Sequence, residues 1–260
     1  MQCGGPASLL SLPIDATLRT FALLDICDVF SVISTCRALR ALGRDNELWR
    51  QLADTKWGSK AISLSAESGI AGPETWFAFC QHRMCIKQHR RSPLDLIQEQ
   101  YSDPWQHLVC CLLCSRTTGG PTIRNAILGF LDAYPTPSAV LGASNRELEE
   151  CIGPLGLMEV RRKALQQMSH DFFAKAWEDP SHFYGCGKFA SDSWRIFCRS
   201  QTCAKGVEDA TLKRYLRWLN TGKLEAKAKA GGKPAGRRAA AKRKLDTLPP
   251  ARVLRSGRKR

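Results

Sequence analysis

Gly185-x-Gly187 followed by Lys188 stands between two stretches of helical pattern. Two glycines permit positive φ and close backbone approach. A helix starting behind them aims unpaired N–H groups and a partial positive charge outward, which suits a phosphate, and Lys188 adds charge. Asp209 marks a second place. It precedes TLKRYLRWL, where Asp is a good helix N-cap, and a carboxylate there is equally able to stabilise a cation forming beside it. Arg116 in SRTTGG and Leu157 in PLGL sit in loop-like strings, one long and cationic, the other apolar.

The elements that must position these side chains are helical. Apolar residues recur at three and four rather than at two, in HLVCCLLC, NAILGFLDAY, RELEECI and VRRKALQQMSHDFFAKAW. In the last string Val160, Ala164, Leu165, Met168, Phe172 and Ala176 fall on one face, which predicts a helix from Val160 to Trp177. Breaks are expected at Gly119–Gly120–Pro121, Pro135–Thr136–Pro137, Gly153–Pro154 and Asp179–Pro180. The fold class is all-α, with many short helices. Three segments are expected: a helical segment over 9–90, a second helical block over 93–220, and a tail over 221–260. A basic joint, IKQHRRS, lies before Pro93.

Charge separates the tail from the rest. Residues 221–260 hold fourteen Lys and Arg against Glu225 and Asp246, so they carry +12 of the formal +15. Their Ala, Lys, Gly, Arg and Pro cannot bury enough apolar surface to offset ordering entropy, so the tail is expected to be disordered. It supplies sequence-independent attraction to phosphate, and RRAAAKRK (237–244) has the form of a nuclear import signal, which places the protein in the nucleus. No apolar run reaches the length of a membrane helix and no secretory leader is visible, so no membrane partner is expected. Of the twelve cysteines, Cys110, Cys111 and Cys114 sit in an apolar run as small hydrophobes. The spacing offers no paired CxxC or Cys/His set for zinc, and no metal or other cofactor is expected.

Four strings, DPWQHLVCCLLCSRTTGG (103–120), CIGPLGLMEVRRKAL (151–165), YGCGKFASDSWRIFC (184–198) and VEDATLKRYLRWL (207–219), resemble in order the helix-hairpin-helix DNA glycosylase superfamily. Within it they are similar to the glycosylase domain of the methyl-CpG-binding-domain thymine glycosylases. No methyl-CpG-binding domain is visible. The resemblance implies a domain over 93–220 with Asp209 as the catalytic carboxylate, Arg116 filling the gap left by a flipped nucleotide, and Leu157 wedged into the duplex. Gly185, Gly187 and Lys188 would hold a phosphate. Gln98 would read the base, although the chain is one residue shorter between it and Asp103. Phe189 stands where bifunctional members carry a Schiff-base lysine and thymine glycosylases a tyrosine, so lyase chemistry is not expected. The last cysteine precedes Asp209, so no iron–sulfur cluster is implied.

The N-terminal run SLPIDATLRTFALLDICDVFSVISTCRALRALGRDNELWRQL resembles the F-box: Leu-Pro, a Leu-rich helix, a Cys-Arg helix and a closing Leu-Trp-Arg. That resemblance implies the Skp adaptor of a cullin–RING ubiquitin ligase as partner, with Leu12, Pro13, Leu18, Phe21 and Leu24 half core and half interface. The whole implies a monomeric, monofunctional glycosylase acting on mispaired thymine or uracil in double-stranded DNA, or else a non-catalytic adaptor that uses a glycosylase fold to find DNA.

Overall fold

A computed structural model describes residues 11–72, 75–84, 90–117 and 120–224, and the basic tail from residue 225 onward lies outside them. Among the described residues every regular element is helical. The first six helices are α1 (Ile14–Ala22), α2 (Ile26–Ile33), α3 (Arg37–Leu42), α4 (Asn46–Trp57), α5 (Ser59–Glu67) and α6 (Trp76–Arg83). After a 3-10 turn at Ile97–Gln100 come α7 (Pro104–Cys114), α8 (Pro121–Ala133), α9 (Pro137–Gly142), α10 (Asn145–Ile152), α11 (Met158–Ala174), α12 (Lys188–Cys198) and α13 (Ala210–Thr221).

The polar punctuation of the sequence explains where helices start. Asp45, Asp103, Thr136 and Ser144 each accept a hydrogen bond from a backbone N–H of the first turn behind them. Pro104, Pro121 and Pro137 occupy first-turn positions, where a missing N–H costs nothing. The expected breaks at Pro121 and Pro137 are therefore helix beginnings. The helix expected over Val160–Trp177 runs instead from Met158 to Ala174. Trp177 is buried beyond its end, and Val160 is 48% exposed rather than part of the buried stripe.

The N-terminal helices and the later ones share one apolar core within a compact unit ending at Leu224. Helix α5 packs on α9 and α11. The Trp57 indole N–H donates to the Asp103 carboxylate at 3.1 Å, and its ring meets Phe173 edge-on at 5.4 Å. Arg83, also buried, donates to the carbonyls of Phe172 and Lys175 at the end of α11. Burial pushes the Asp103 carboxyl above its usual pKa, against the pull of Lys56 and its N–H donors. No described helix is long and apolar enough to cross a membrane.

Candidate active site

A second apolar cluster, built from Ile196, Phe197, Val207, Leu212, Tyr215, Leu216 and Trp218, seats α13 against α12. It brings the start of α13 to the rim of a cavity of about 470 Å³. Asp209 is the N-cap of α13 and is half-buried. Its Oδ1 accepts from the Thr211 and Leu212 N–H groups, both at 2.8 Å, while Oδ2 makes no hydrogen bond among the described residues. The cap thus engages one oxygen of the carboxylate and leaves the other without a hydrogen bond among the described residues, so capping is compatible with a catalytic role for Asp209. The cap holds the side chain in one rotamer, and the cavity lies beside it.

Gln98 and Phe189 line the same cavity, as do Cys114, Thr117, Ile123 and Ile127. Gln98 is 7% exposed, yet its side-chain amide has no hydrogen-bond partner among the described residues. The amide is not sealed from solvent, and its donor and acceptor are available to a polar ligand in the cavity that Gln98 lines. The Gln98 backbone is held from behind, where its carbonyl meets His107 Nδ1 at 3.3 Å and His107 Nε2 meets Ser193 Oγ at 2.9 Å. Phe189 bridges the two apolar clusters and presents a ring without amine or hydroxyl. No lysine among the described residues lines this cavity. Burial raises the Cys114 thiol to about 11, so it stays protonated at neutral pH.

One wall of the cavity escaped the sequence reading. Arg124 on α8 donates to the Asp95 backbone carbonyl at 2.7 Å and forms an ion pair with its carboxylate at 3.0 Å. Asp95 itself has φ of 48°, and Gln100 also binds its carboxylate. The clasp fixes the strand of chain leading to Gln98. Nothing in a single Asp and a distant Arg signals such a pairing before the chain is folded.

The turn after α7 has a second face. Cys114 and Thr117 line the Asp209 cavity, while Ser115 and Arg116 line another of about 430 Å³. Leu157, Val160, Tyr184, Gly185 and Gly187 complete it. The expected surface residues therefore meet: the Arg116 turn, the Leu157 turn and the glycine turn surround one depression. Arg116 and Leu157 both have left-handed backbone, with φ of 59° and 50°. Such non-glycine residues are strained and cluster at functional sites. Leu157, Met158, Val160 and Tyr184 form an exposed apolar group, each 45–53% accessible. Lys163 lies over the Tyr184 ring at 5.5 Å.

The two glycines do different work. Gly185 has φ of 84°, and a Cβ there would sit 2.6 Å from Ala164 Cβ. Gly187 has φ of −106° and open space around it, so it needs no positive φ and leaves the N-terminus of α12 accessible. Lys188 is partly committed: its ammonium contacts both oxygens of Asp192, at 3.0 and 3.1 Å.

On the N-terminal helices, Leu12 is 45% and Pro13 substantially exposed, and Leu18 and Leu24 are half-buried. Phe21 is 1% exposed and belongs wholly to the core, because the face of α1 that carries it packs inward. Ile14 at 60% and Leu23 at 87% are the more accessible apolar side chains, and neither is among the expected interface residues.

Residues 9–55 match the F-box-like family model. Over 130 residues, half of this chain, it is 32% identical to the methyl-CpG-binding domain protein 4-like protein of Arabidopsis thaliana. It is 35% identical over 81 residues to a thymine-DNA glycosylase of Aeropyrum pernix, and 35% identical over 77 residues to a thymine/uracil-DNA glycosylase of Pyrobaculum aerophilum. The chain combines an F-box-like segment with a DNA-glycosylase-like domain. The matched regions cover 29%, 36% and 33% of the three relatives, so the chain spans about a third of their lengths.

Proposed function

We propose that this protein is a monofunctional DNA glycosylase that removes thymine or uracil mispaired with guanine, as a step of base excision repair. The observation that carries the proposal is the Asp209 carboxylate, capped through Oδ1 and open through Oδ2, beside a cavity holding the unpaired Gln98 amide. A flipped pyrimidine enters that cavity, and Gln98 offers its amide to the polar edge of the base. As the bond between C1′ and the base nitrogen breaks, the electron pair leaves with the base and positive charge grows on the sugar. Asp209 stabilises that charge and orients a water, whose oxygen bonds to C1′ while its proton is released. The product is an abasic site on an intact strand. Strand cleavage through a Schiff base needs an amine; Phe189 has none, and no lysine among the described residues lines the cavity.

Arg116 and Leu157 act on the duplex, Arg116 in the gap left by the flipped nucleotide and Leu157 as an apolar wedge, with the Gly185–Gly187 turn on a phosphate. The basic tail adds nonspecific attraction to DNA and carries a nuclear import signal. The F-box-like segment docks a Skp-type adaptor and so brings a cullin–RING ubiquitin ligase to the same place.

The test is incision of duplexes carrying T, U or a damaged pyrimidine opposite G. The expected product breaks only after alkali, and borohydride traps no covalent adduct. A chain that binds these duplexes but removes no base would favour the adaptor reading, in which the glycosylase fold serves only to find DNA.

A further inference from the structure

Arg161 stands in the first turns of α11 and is 4% exposed, yet it faces no carboxylate among the described residues. Its guanidinium is spent on backbone carbonyls. Nε donates to Gly156 O at 3.0 Å, Nη1 to Leu112 O and Leu113 O at 3.1 Å, and Nη2 to Ser115 O at 2.9 Å. Three of these carbonyls belong to the C-terminal end of α7, where the helix dipole is negative and a cation is stabilised. The charge is thus met by dipoles, and a buried group that would be costly alone is satisfied.

Two of the four carbonyls have a particular place. Ser115 precedes Arg116, and Gly156 precedes Leu157. A carbonyl oxygen shares a planar peptide with the next residue's nitrogen. Holding the oxygen of residue 115 or 156 therefore restrains the peptide plane about which Arg116 or Leu157 sets its φ. These are the two left-handed, non-glycine residues of the depression. One rigid, planar side chain ties both turns to a single frame.

We propose that Arg161 is a positioning residue that locks the Arg116 and Leu157 turns to each other, so that plug and wedge enter DNA as one preformed element. This rests on the reading of Arg116 and Leu157 as duplex contacts. Preorganisation lowers the ordering cost of binding, and the benefit falls on distorted, mispaired DNA, which both side chains must enter together. Lysine cannot replace the guanidinium here, since one ammonium cannot span four carbonyls in a plane.

The experiment uses the full chain, with Arg116→Ala and Leu157→Ala singly and together, in the unsubstituted, Arg161→Gln and Arg161→Lys backgrounds. Kd is measured for a G·T duplex and for its matched counterpart. With Arg161 present, the two alanine substitutions are expected to be coupled, the double variant departing from the product of the single effects by about threefold or more. In both Arg161 variants that coupling is expected to vanish, and G·T affinity to fall about tenfold while matched-duplex affinity moves far less. Amide hydrogen exchange of the unbound chain should accelerate at residues 115, 117 and 156, whose N–H groups are hydrogen-bonded within the two turns, and not throughout. Coupling that survives in the Arg161 variants, or a uniform loss of both affinities with a general fall in Tm, overturns the proposal alone. If the unsubstituted chain does not prefer the mispaired duplex, or neither alanine substitution matters, the reading of the site falls and takes the proposal with it.

Discussion

Two surfaces of this molecule expose large apolar side chains, and their chemical settings differ. Beside the glycine turn, Leu157, Met158, Val160 and Tyr184 are accompanied by Arg116 and Lys163. Around α1, Leu12, Ile14 and Leu23 are exposed, and Leu23 lines a groove in which Asp15, Asp45 and Glu47 outnumber Arg19. Apolar area says only that a surface is meant to be covered. The charges beside it separate the partners. A polyanion is welcomed by the first and repelled by the acids of the second, whereas a protein can complement either. Backbone differs as well: the first patch is anchored on strained left-handed residues, while α1 is an unstrained helix end. A wedge must keep its shape when pushed into a base stack; a docking helix needs only an accessible face.

The largest expected effect comes from the proposed chemistry at Asp209, in the cavity on the other face of the Arg116 turn. Asp209→Asn should lower base excision a hundredfold to a thousandfold, about 3–4 kcal/mol at the transition state. Asn caps nearly as well as Asp, so Tm should hold and DNA affinity should stay level or rise. Single-turnover kinetics beside a binding assay would separate these, and an active variant would remove the catalytic assignment.

Leu157→Gly probes the wedge through its backbone. Glycine tolerates φ of 50° without penalty, so the fold should gain about 1 kcal/mol while mispair affinity drops roughly tenfold. Opposite signs from melting and binding are the signature; a loss in both would place Leu157 in the fold rather than in the duplex contact.

On the other surface, Leu23→Asp alters a side chain that is 87% exposed. Co-purification with a Skp-type adaptor should weaken about tenfold, with excision unchanged and stability within about 0.5 kcal/mol. Adaptor binding that ignores this substitution would move the docking face elsewhere on the segment.

The smallest effect is expected at Lys188. Asp192 already holds its ammonium, so Lys188→Gln should weaken DNA binding by no more than about threefold and barely change the salt dependence. A fall in the slope of log Kd against log salt by nearly one would show that the lysine leaves Asp192 for a phosphate.

Much of the site could be read before folding because its signals are local. Asp209 ahead of an amphipathic helix, glycines at 185 and 187, and prolines opening helices each act through neighbours in the chain. Residues defined by distant partners were not legible. Arg161 shares a helical stripe with Ala164, Leu165 and Met168, and a cation in such a stripe is a hint of a buried role. Its four carbonyls, however, come from α7 and the Gly156 turn. The Asp95–Arg124 clasp spans 29 positions and has no local signature. Val160 shares the apolar face yet is 48% exposed, because periodicity reports which residues share a face, not whether that face is covered at every turn.

The sequence by itself determined the all-α class, the F-box-like and glycosylase-like strings, and the residue types available for chemistry. The class follows from apolar periodicity, and the strings are read from their resemblance to known families. Only the tertiary structure decided that Asp209 caps with one oxygen at the rim of a cavity, that Gln98 lines that cavity with its amide unpaired among the described residues, and that the N-terminal helices share a core with the later ones through Trp57, Asp103 and Arg83. The reason is physical. Which lone pair of a carboxylate is used, and which amide is left without a partner, depends on groups brought together by packing, and packing joins residues by shape and burial, whatever their separation along the chain.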